Sequence, residues 1–225
     1  MTKLVWDNVG DRRYEIGIDR GVLFLPNGSG VPWNGLTSVT EARTREVKSY
    51  YLDGVKYLDR HIPGSYAAKL AAFTYPDELE MLLGNPEFAP GVVVHDQRAK
   101  YFNLCYRTLV ANDLEDTDHG YKIHVVYNVT ASLNDNAMET ISQDLSPKPF
   151  EWNLTGTPTV MFGLRPTSHI SVDSRHLAPA LLTLLEETLY GTDGEVGTPP
   201  TPPILPTPPT LPGMIELLTM LGANP

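Results

Sequence analysis

The stretch GYKIHVVYNVT, residues 120–130, decides the fold class. Tyr121, Ile123, Val125, Tyr127 and Val129 fall on one side of an extended chain, while Lys122, His124, Asn128 and Thr130 fall on the other. Successive side chains of a pleated strand point to opposite faces, so this alternation predicts a half-buried β-strand with one wet face. On that reading His124 is a surface histidine rather than a base. Phe102, Leu104, Tyr106, Thr108 and Val110 repeat the pattern upstream. Phe150, Trp152 and Leu154 repeat it downstream against Glu151, Asn153 and Thr155. Ile170 and Val172 mark a shorter late strand. Tyr14, Ile16 and Ile18 mark an early one, which Asp19-Arg20-Gly21 turns into residues 22–25.

Turn and cap chemistry punctuates these strands. In SYYLDGVKYL (49–58) the pair Asp53-Gly54 supplies the positive φ angles of a type I′ turn, predicting a β-hairpin with aromatic arms. Those arms suit contact with another protein surface. GSYAAKLAAFTY (64–75) fits helix or strand equally, and PDELEMLLG (76–84) reads as a short helix capped by Gly84. A longer helix starts at Pro179, with Leu181, Leu184 and Leu185 as its apolar stripe, Leu182 and Leu189 widening it, and Gly191 as C-cap. The expected fold is mainly β: an antiparallel β-sandwich or split barrel with one packed α-helix, a long hairpin and a C-terminal arm.

The 225 residues suit one domain with an appendage, and 41% hydrophobic with 20% charged content is ordinary for a soluble globular chain. Residues 1–110 balance 13 Lys/Arg against 13 Asp/Glu, whereas residues 111–225 hold 4 against 14 and carry the whole net charge of −10. An acidic chain of this kind does not grip a phosphate backbone, which needs clustered positive charge. The single cysteine, Cys105, excludes a disulfide framework and lies in an apolar run as a buried structural thiol. No stretch approaches 18 consecutive apolar residues and the first residues lack the apolar core of a signal peptide, so folding in a reducing compartment is expected.

Beyond Gly191 the composition changes to TPPTPPILPTPPTLP, residues 198–212. Prolines 200, 203, 206, 209 and 212 recur every third residue and form one face of a polyproline II rod. The PxxP spacing lacks the adjacent cation of an SH3-type ligand, which leaves a stiff spacer of roughly 45 Å. The apolar segment MIELLTML (214–221) follows. It is too short to hold a helix in water and needs a partner surface. The expected organisation is a β domain over 1–192, a linker over 193–213 and a short apolar arm over 214–225, the arm docking on a neighbouring copy.

A search for chemistry finds no catalytic residue, metal ligand set or cofactor site. The histidines at 61, 95, 119, 124, 169 and 176 form no HxxxH or HExxH pair, and no nucleophile elbow, phosphate loop or CxxC is present. The acidic loop Asp113, Glu115, Asp116, Asp118 and His119 lacks EF-hand spacing and reads as a solvated hairpin loop. His169 and Asp173 share a strand face with no nucleophile nearby.

Particular words of the sequence go further. GIDRGVL (17–23), VPWNGL (31–36), YLDGVKYLD (51–59), AFTYPDE (72–78), LCYRT (104–108), GYKIHVVYN (120–128), FEW (150–152), RPTSHISVDSR (165–175) and LYGT (189–192) occur in this order. With them the chain resembles the major tail proteins, or tail-tube subunits, of long-tailed phages that infect actinobacteria. The proline content of the strap departs from that pattern. The resemblance implies a virion tail protein, made in the host cytoplasm and without enzymatic activity or cofactor. Its implied partners are further copies of itself, stacked as hexameric rings, and other tail proteins such as the tape measure and terminator. DNA would pass through the tube without specific binding, and no membrane is involved. The residues expected at subunit interfaces are Tyr50, Tyr51, Asp53, Gly54 and Tyr57 in the hairpin and Ile215, Leu217, Leu218 and Leu221 in the arm. The competing expectations are another virion component, such as an adaptor, tail-tip or decoration protein, and a carbohydrate-binding β-sandwich. In the last, Trp6, Trp33 and Trp152 would form the platform, with Trp33 the exposed one and Trp152 in the core.

Overall fold

The computed structural model describes residues 4–43, 46–62, 64–134, 148–161, 164–193, 210 and 213. Nearly all of the strap, and the arm with Ile215, Leu217, Leu218 and Leu221, therefore lie outside the described residues.

The chain is mainly antiparallel β. It opens with β1 (Arg13–Phe24), β2 (Gly30–Trp33) and β3 (Leu36–Arg43), followed by the hairpin of β4 (Glu46–Leu52) and β5 (Val55–Ile62) and by β6 (Tyr66–Ala72). Helix α1 (Glu78–Leu83) and a small hairpin of β7 (Glu87–Ala89) and β8 (Val92–Val93) lead to β9 (Phe102–Asn112) and β10 (Asp116–Leu133). Then come β11 (Phe150–Gly156), the pair β12 (Thr159–Met161) and β13 (Leu164–Thr167), β14 (His169–Asp173) and helix α2 (Pro179–Tyr190). The main sheet has the order β2-β1-β9-β10-β11-β6-β3, with β14 also joined to β10.

Strand β10 organises the molecule. Its first half pairs with β14, from Lys122 opposite Asp173 to Val126 opposite His169, and its second half pairs with β11, starting at Val129 opposite Gly156. Between the halves the register with β9 steps from Val126–Leu104 to Val129–Phe102, so one extra residue sits on β10, and Asn128 adopts φ +50°. An inserted residue reverses the facing of everything beyond it. Ile123, Val125 and Tyr127 accordingly join one apolar cluster, whereas Val129 joins the other with Val126 and Ala131. The simple alternation that placed Val129 beside Tyr127 fails here.

Nor is the second face of β10 wet along its whole length. The sheet curls until Glu41, on the strand at its far end, reaches Tyr106 on β9 and His124 on β10. This makes a split barrel, and His124 is 6% exposed inside it. The interior core holds Leu23, Trp33, Leu70, Leu104, Val129, Trp152 and Leu154, with Leu79 and Leu82 of α1 in the same cluster. A second core lies on the other face of the sheet, where Val22, Phe24, Cys105, Ile123, Val125, Tyr127 and Val172 meet Leu185 and Leu189 of α2.

Both helices follow their sequence signals. Glu78 and Glu80 lie in the first turn of α1, where carboxylates suit the positive end of the helix dipole. Gly84 ends it at φ +94°, and a Cβ there would stand 2.2 Å from the Gln97 carbonyl oxygen, so only glycine fits. In α2 the buried stripe is Leu181, Leu185 and Leu189, each burial contributing about 1.5–3 kcal/mol. Leu184, expected in that stripe, is 40% exposed because the i, i+4, i+8 line faces the sheet instead.

Two further expectations are corrected and one open reading is decided. Asp19-Arg20-Gly21 is no chain reversal: β1 runs straight through it with two register shifts against β9, and Arg20 takes φ +47°. The bidentate pair of Arg107 with Asp19, at 2.7 and 2.5 Å, holds the irregular segment against the neighbouring strand. The ambiguous segment 64–75 holds strand β6, because β11 and β3 pair with its two edges. Trp33 is 2% exposed, with its Nε1 donating to the Thr74 carbonyl at 3.0 Å. The exposed tryptophan is Trp6.

Candidate functional site

Two features stand out, an exposed hairpin and a buried polar cluster. The hairpin is β4–β5, with Leu52 opposite Val55 across the turn. Asp53 and Gly54 take φ +50° and +76°, as the type I′ turn requires. The turn chemistry was legible because it is local. Ser49 donates to Asp59 at 2.6 Å across the two strands, and Lys56 pairs with Asp59 at 2.6 Å along β5.

No other strand among the described residues pairs with β4 or β5. Tyr51, Val55 and Tyr57 are 67%, 70% and 70% exposed, and Val47, Tyr50, Leu52 and Leu58 are exposed with them. A lone two-stranded ribbon is marginal in water, and a contiguous apolar surface of this kind marks a binding site. Tyr50, Tyr51, Asp53, Gly54 and Tyr57 thus all lie on one exposed element.

The smaller hairpin β7–β8 carries the same character, which sequence reasoning missed. Phe88 is 82% exposed, and Val92, Val93 and Val94 are exposed beside it. Its signal was present in EFAPGVVV (87–94), where Gly91 turns the chain at φ +78°.

The polar cluster lies inside the split barrel. Tyr106 donates its hydroxyl proton to Glu41 Oε1 at 2.6 Å, so the Tyr66 hydroxyl, 3.3 Å away, donates to Tyr106 in turn. His124 lies flat against Tyr106, with centroids 4.7 Å apart and planes 5° apart. Its Nε2 meets Thr108 Oγ1 at 2.9 Å and its Nδ1 meets His169 Nε2 at 3.2 Å. Burial pushes the His124 imidazole down to about 4, helped by neighbouring His169 and opposed by Glu41, so the ring is neutral at pH 7. Burial also drives the Tyr106 hydroxyl far above its ordinary range.

Beside this cluster lies a cavity of 450 Å³ whose lining includes Glu15, Glu41, Tyr106, Thr108, Lys122 and His124. The sequence could not announce the grouping, since Glu41, His124 and His169 sit on three strands with no motif spacing.

The acidic loop behaves as a solvated hairpin loop, as its composition suggested. Asn112 Oδ1 accepts the Leu114 and Glu115 amides, and His119 Nδ1 meets Glu115 Oε2 at 2.6 Å. Asp173 is held by Arg175 through contacts of 2.9 and 2.6 Å, which lower its carboxyl to about 2. Cys105 is fully buried, and desolvation pushes its thiol up to about 12.

No protein-family model and no curated protein sequence matches the chain. Among solved structures it is similar to the anti-feeding prophage cap, described as the AFP tube terminating cap, with TM-score 0.40 and 10% identity over 77% of this chain and 97% of that one. It is also similar to a chain of the PVC sheath-tube complex of an extracellular contractile injection system in the extended state, with TM-score 0.37 and 17% identity over 68% and 88%. A third similarity is to the PVC sheath/tube terminator, with TM-score 0.36 and 16% identity over 71% and 97%.

Proposed function

We propose that the chain is a self-assembling, non-catalytic tail-tube subunit whose copies form stacked rings around a channel for phage DNA. The observation that carries this reading is the β4–β5 hairpin, which lacks strand partners among the described residues and is studded with exposed Tyr50, Tyr51, Leu52, Val55 and Tyr57. Open strand edges beside apolar side chains are a liability for a solitary molecule, and pairing with an identical neighbour removes it. Contacts that repeat head to tail close into rings, and rings that stack make tubes. The resemblance of its ordered motifs to actinobacteriophage tail-tube subunits supports the same assembly, with the tape measure and terminator as further partners. The acidic balance suits a conduit that lets phosphates pass without holding them.

A carbohydrate platform loses its central element, because Trp33 and Trp152 are both buried. Negative-stain microscopy of the purified full chain tests the proposal. Hollow tubes or six-fold stacked rings are expected. Single rings that never stack favour an adaptor role, and a dispersed monomer at high concentration overturns the assembly reading.

A further inference from the structure

The interior cluster holds three donor atoms on three different strands. His124 Nδ1 of β10 and His169 Nε2 of β14 are 3.2 Å apart, and Glu41 Oε1 of β3 lies 3.6 Å from the first and 3.8 Å from the second. Around a tetrahedral zinc ion with bonds of about 2.0–2.1 Å, ligand atoms stand roughly 3.3–3.5 Å apart. The three separations bracket that value. We propose that Glu41, His124 and His169 bind one divalent transition-metal ion, with zinc the ion this donor set suits.

Four features of the surroundings fit. Two imidazole nitrogens and one carboxylate oxygen favour zinc-like ions over magnesium or calcium, which take oxygen ligands. The outer contacts of a metal site are present. Thr108 Oγ1 meets His124 Nε2, fixing which nitrogen faces the centre, while the Tyr106 hydroxyl steadies Glu41. The flat contact of Tyr106 with His124 and the edge-on contact of Tyr66 with His169 restrain both rings. The 450 Å³ cavity reaches Glu41 and His124, giving an ion a way in and a water a place as fourth ligand.

The placement also gives the ion a task. Strand β14 is joined to β10 and strand β3 to β6, and no ladder joins β3 to β14 among the described residues. An ion held by Glu41 and His169 would bridge that opening and lock the barrel where the sheet does not close. A structural ion of this kind stabilises only the folded state.

The test uses tag-free full chain, stripped with chelator and titrated with zinc by calorimetry, with cobalt as a spectroscopic stand-in. One equivalent of zinc should bind and raise the unfolding temperature, and cobalt should give the visible bands of a low-coordinate nitrogen and oxygen site. His169→Gln and Glu41→Gln should each weaken zinc binding by roughly 100-fold or more, while His95→Gln and His176→Gln leave it unchanged. Absence of binding at micromolar zinc, or binding that His169→Gln leaves intact, overturns the proposal. Should the substituted chains fail to fold, zinc-edge X-ray absorption of the unsubstituted chain decides: two imidazoles with oxygen support the site, and any other ligand set refutes it.

Discussion

Trp33 and Trp152 meet edge to face, with ring centroids 5.3 Å apart and planes inclined at 78°. One comes from β2 at an end of the sheet and the other from β11 in its second half, so their contact exists only because the sheet curls. Tyr75 joins the same group, 5.4 Å from Trp152. Trp152→Ala should therefore cost about 3–5 kcal/mol in a urea titration, the range for a large aromatic removed from a sealed core. A loss below 1 kcal/mol would mean that the barrel interior is not closed in solution.

Helix α2 offers a paired comparison. Leu185→Ala should cost about 2–5 kcal/mol, whereas Leu184→Ala should stay within about 0.5 kcal/mol. Equal effects at the two positions would place the helix in a different rotation about its axis.

Asp173 carries a pH-dependent share of the stability. Arg175 lowers its folded carboxyl from 3.8 to about 2, so the charged form is favoured by folding. The contribution is fully present above the unfolded value and disappears as pH falls through about 2. At one unit per 1.36 kcal/mol this amounts to about 2 kcal/mol. Asp173→Asn should lower the unfolding midpoint at pH 7, and its gap from the unsubstituted chain should shrink between pH 4 and pH 2. A gap that stays constant over that window rules out the Arg175 pairing as its source.

The hairpin turn allows the proposed assembly to be tested apart from folding. Gly54 sits at φ +76° with open space around it, so Gly54→Val strains the backbone by about 1 kcal/mol or more without disturbing any core. Since β4 and β5 pair with no other strand among the described residues, the unfolding midpoint of the domain should hardly move. Under the proposed assembly, tube formation, followed by light scattering, should fall sharply. Normal tubes from this variant would remove the hairpin from the subunit contact.

Cys105 gives a simple check of the second core. A fully buried thiol pushed up to about 12 should resist iodoacetamide in the native protein and react only on unfolding.

What the sequence disclosed was local. Asp53-Gly54 announces its turn because two adjacent residues set the required angles, and Gly84 announces a helix end for the same reason. The alternation in β9, β10 and β11 identified strands correctly, yet it could not say which face would be enclosed. His124 looked wet because Lys122, Asn128 and Thr130 keep it company in the pattern. In the fold, β3 lies across that face and shuts water out at His124, while Asn128 lies at the register step and stays exposed. The grouping of Glu41 with His124 and His169 depends wholly on that long-range closure, so no spacing rule reaches it. Trp33 misled for a related cause: Pro32 and Asn34 imitate a surface turn, but Trp152 of β11 and the Thr74 carbonyl take up the indole.

The division of β10 between two partners has a mechanical consequence. With β9 along one edge and β14 followed by β11 along the other, the strand acts as a keel to which three segments are fastened in turn. Fraying that begins at the β11 end meets a dislocation at Asn128 before it can reach the β14 end. Peeling of one half therefore stops short of the half that carries α2, and hydrogen exchange should report two separate unzipping events along a single strand.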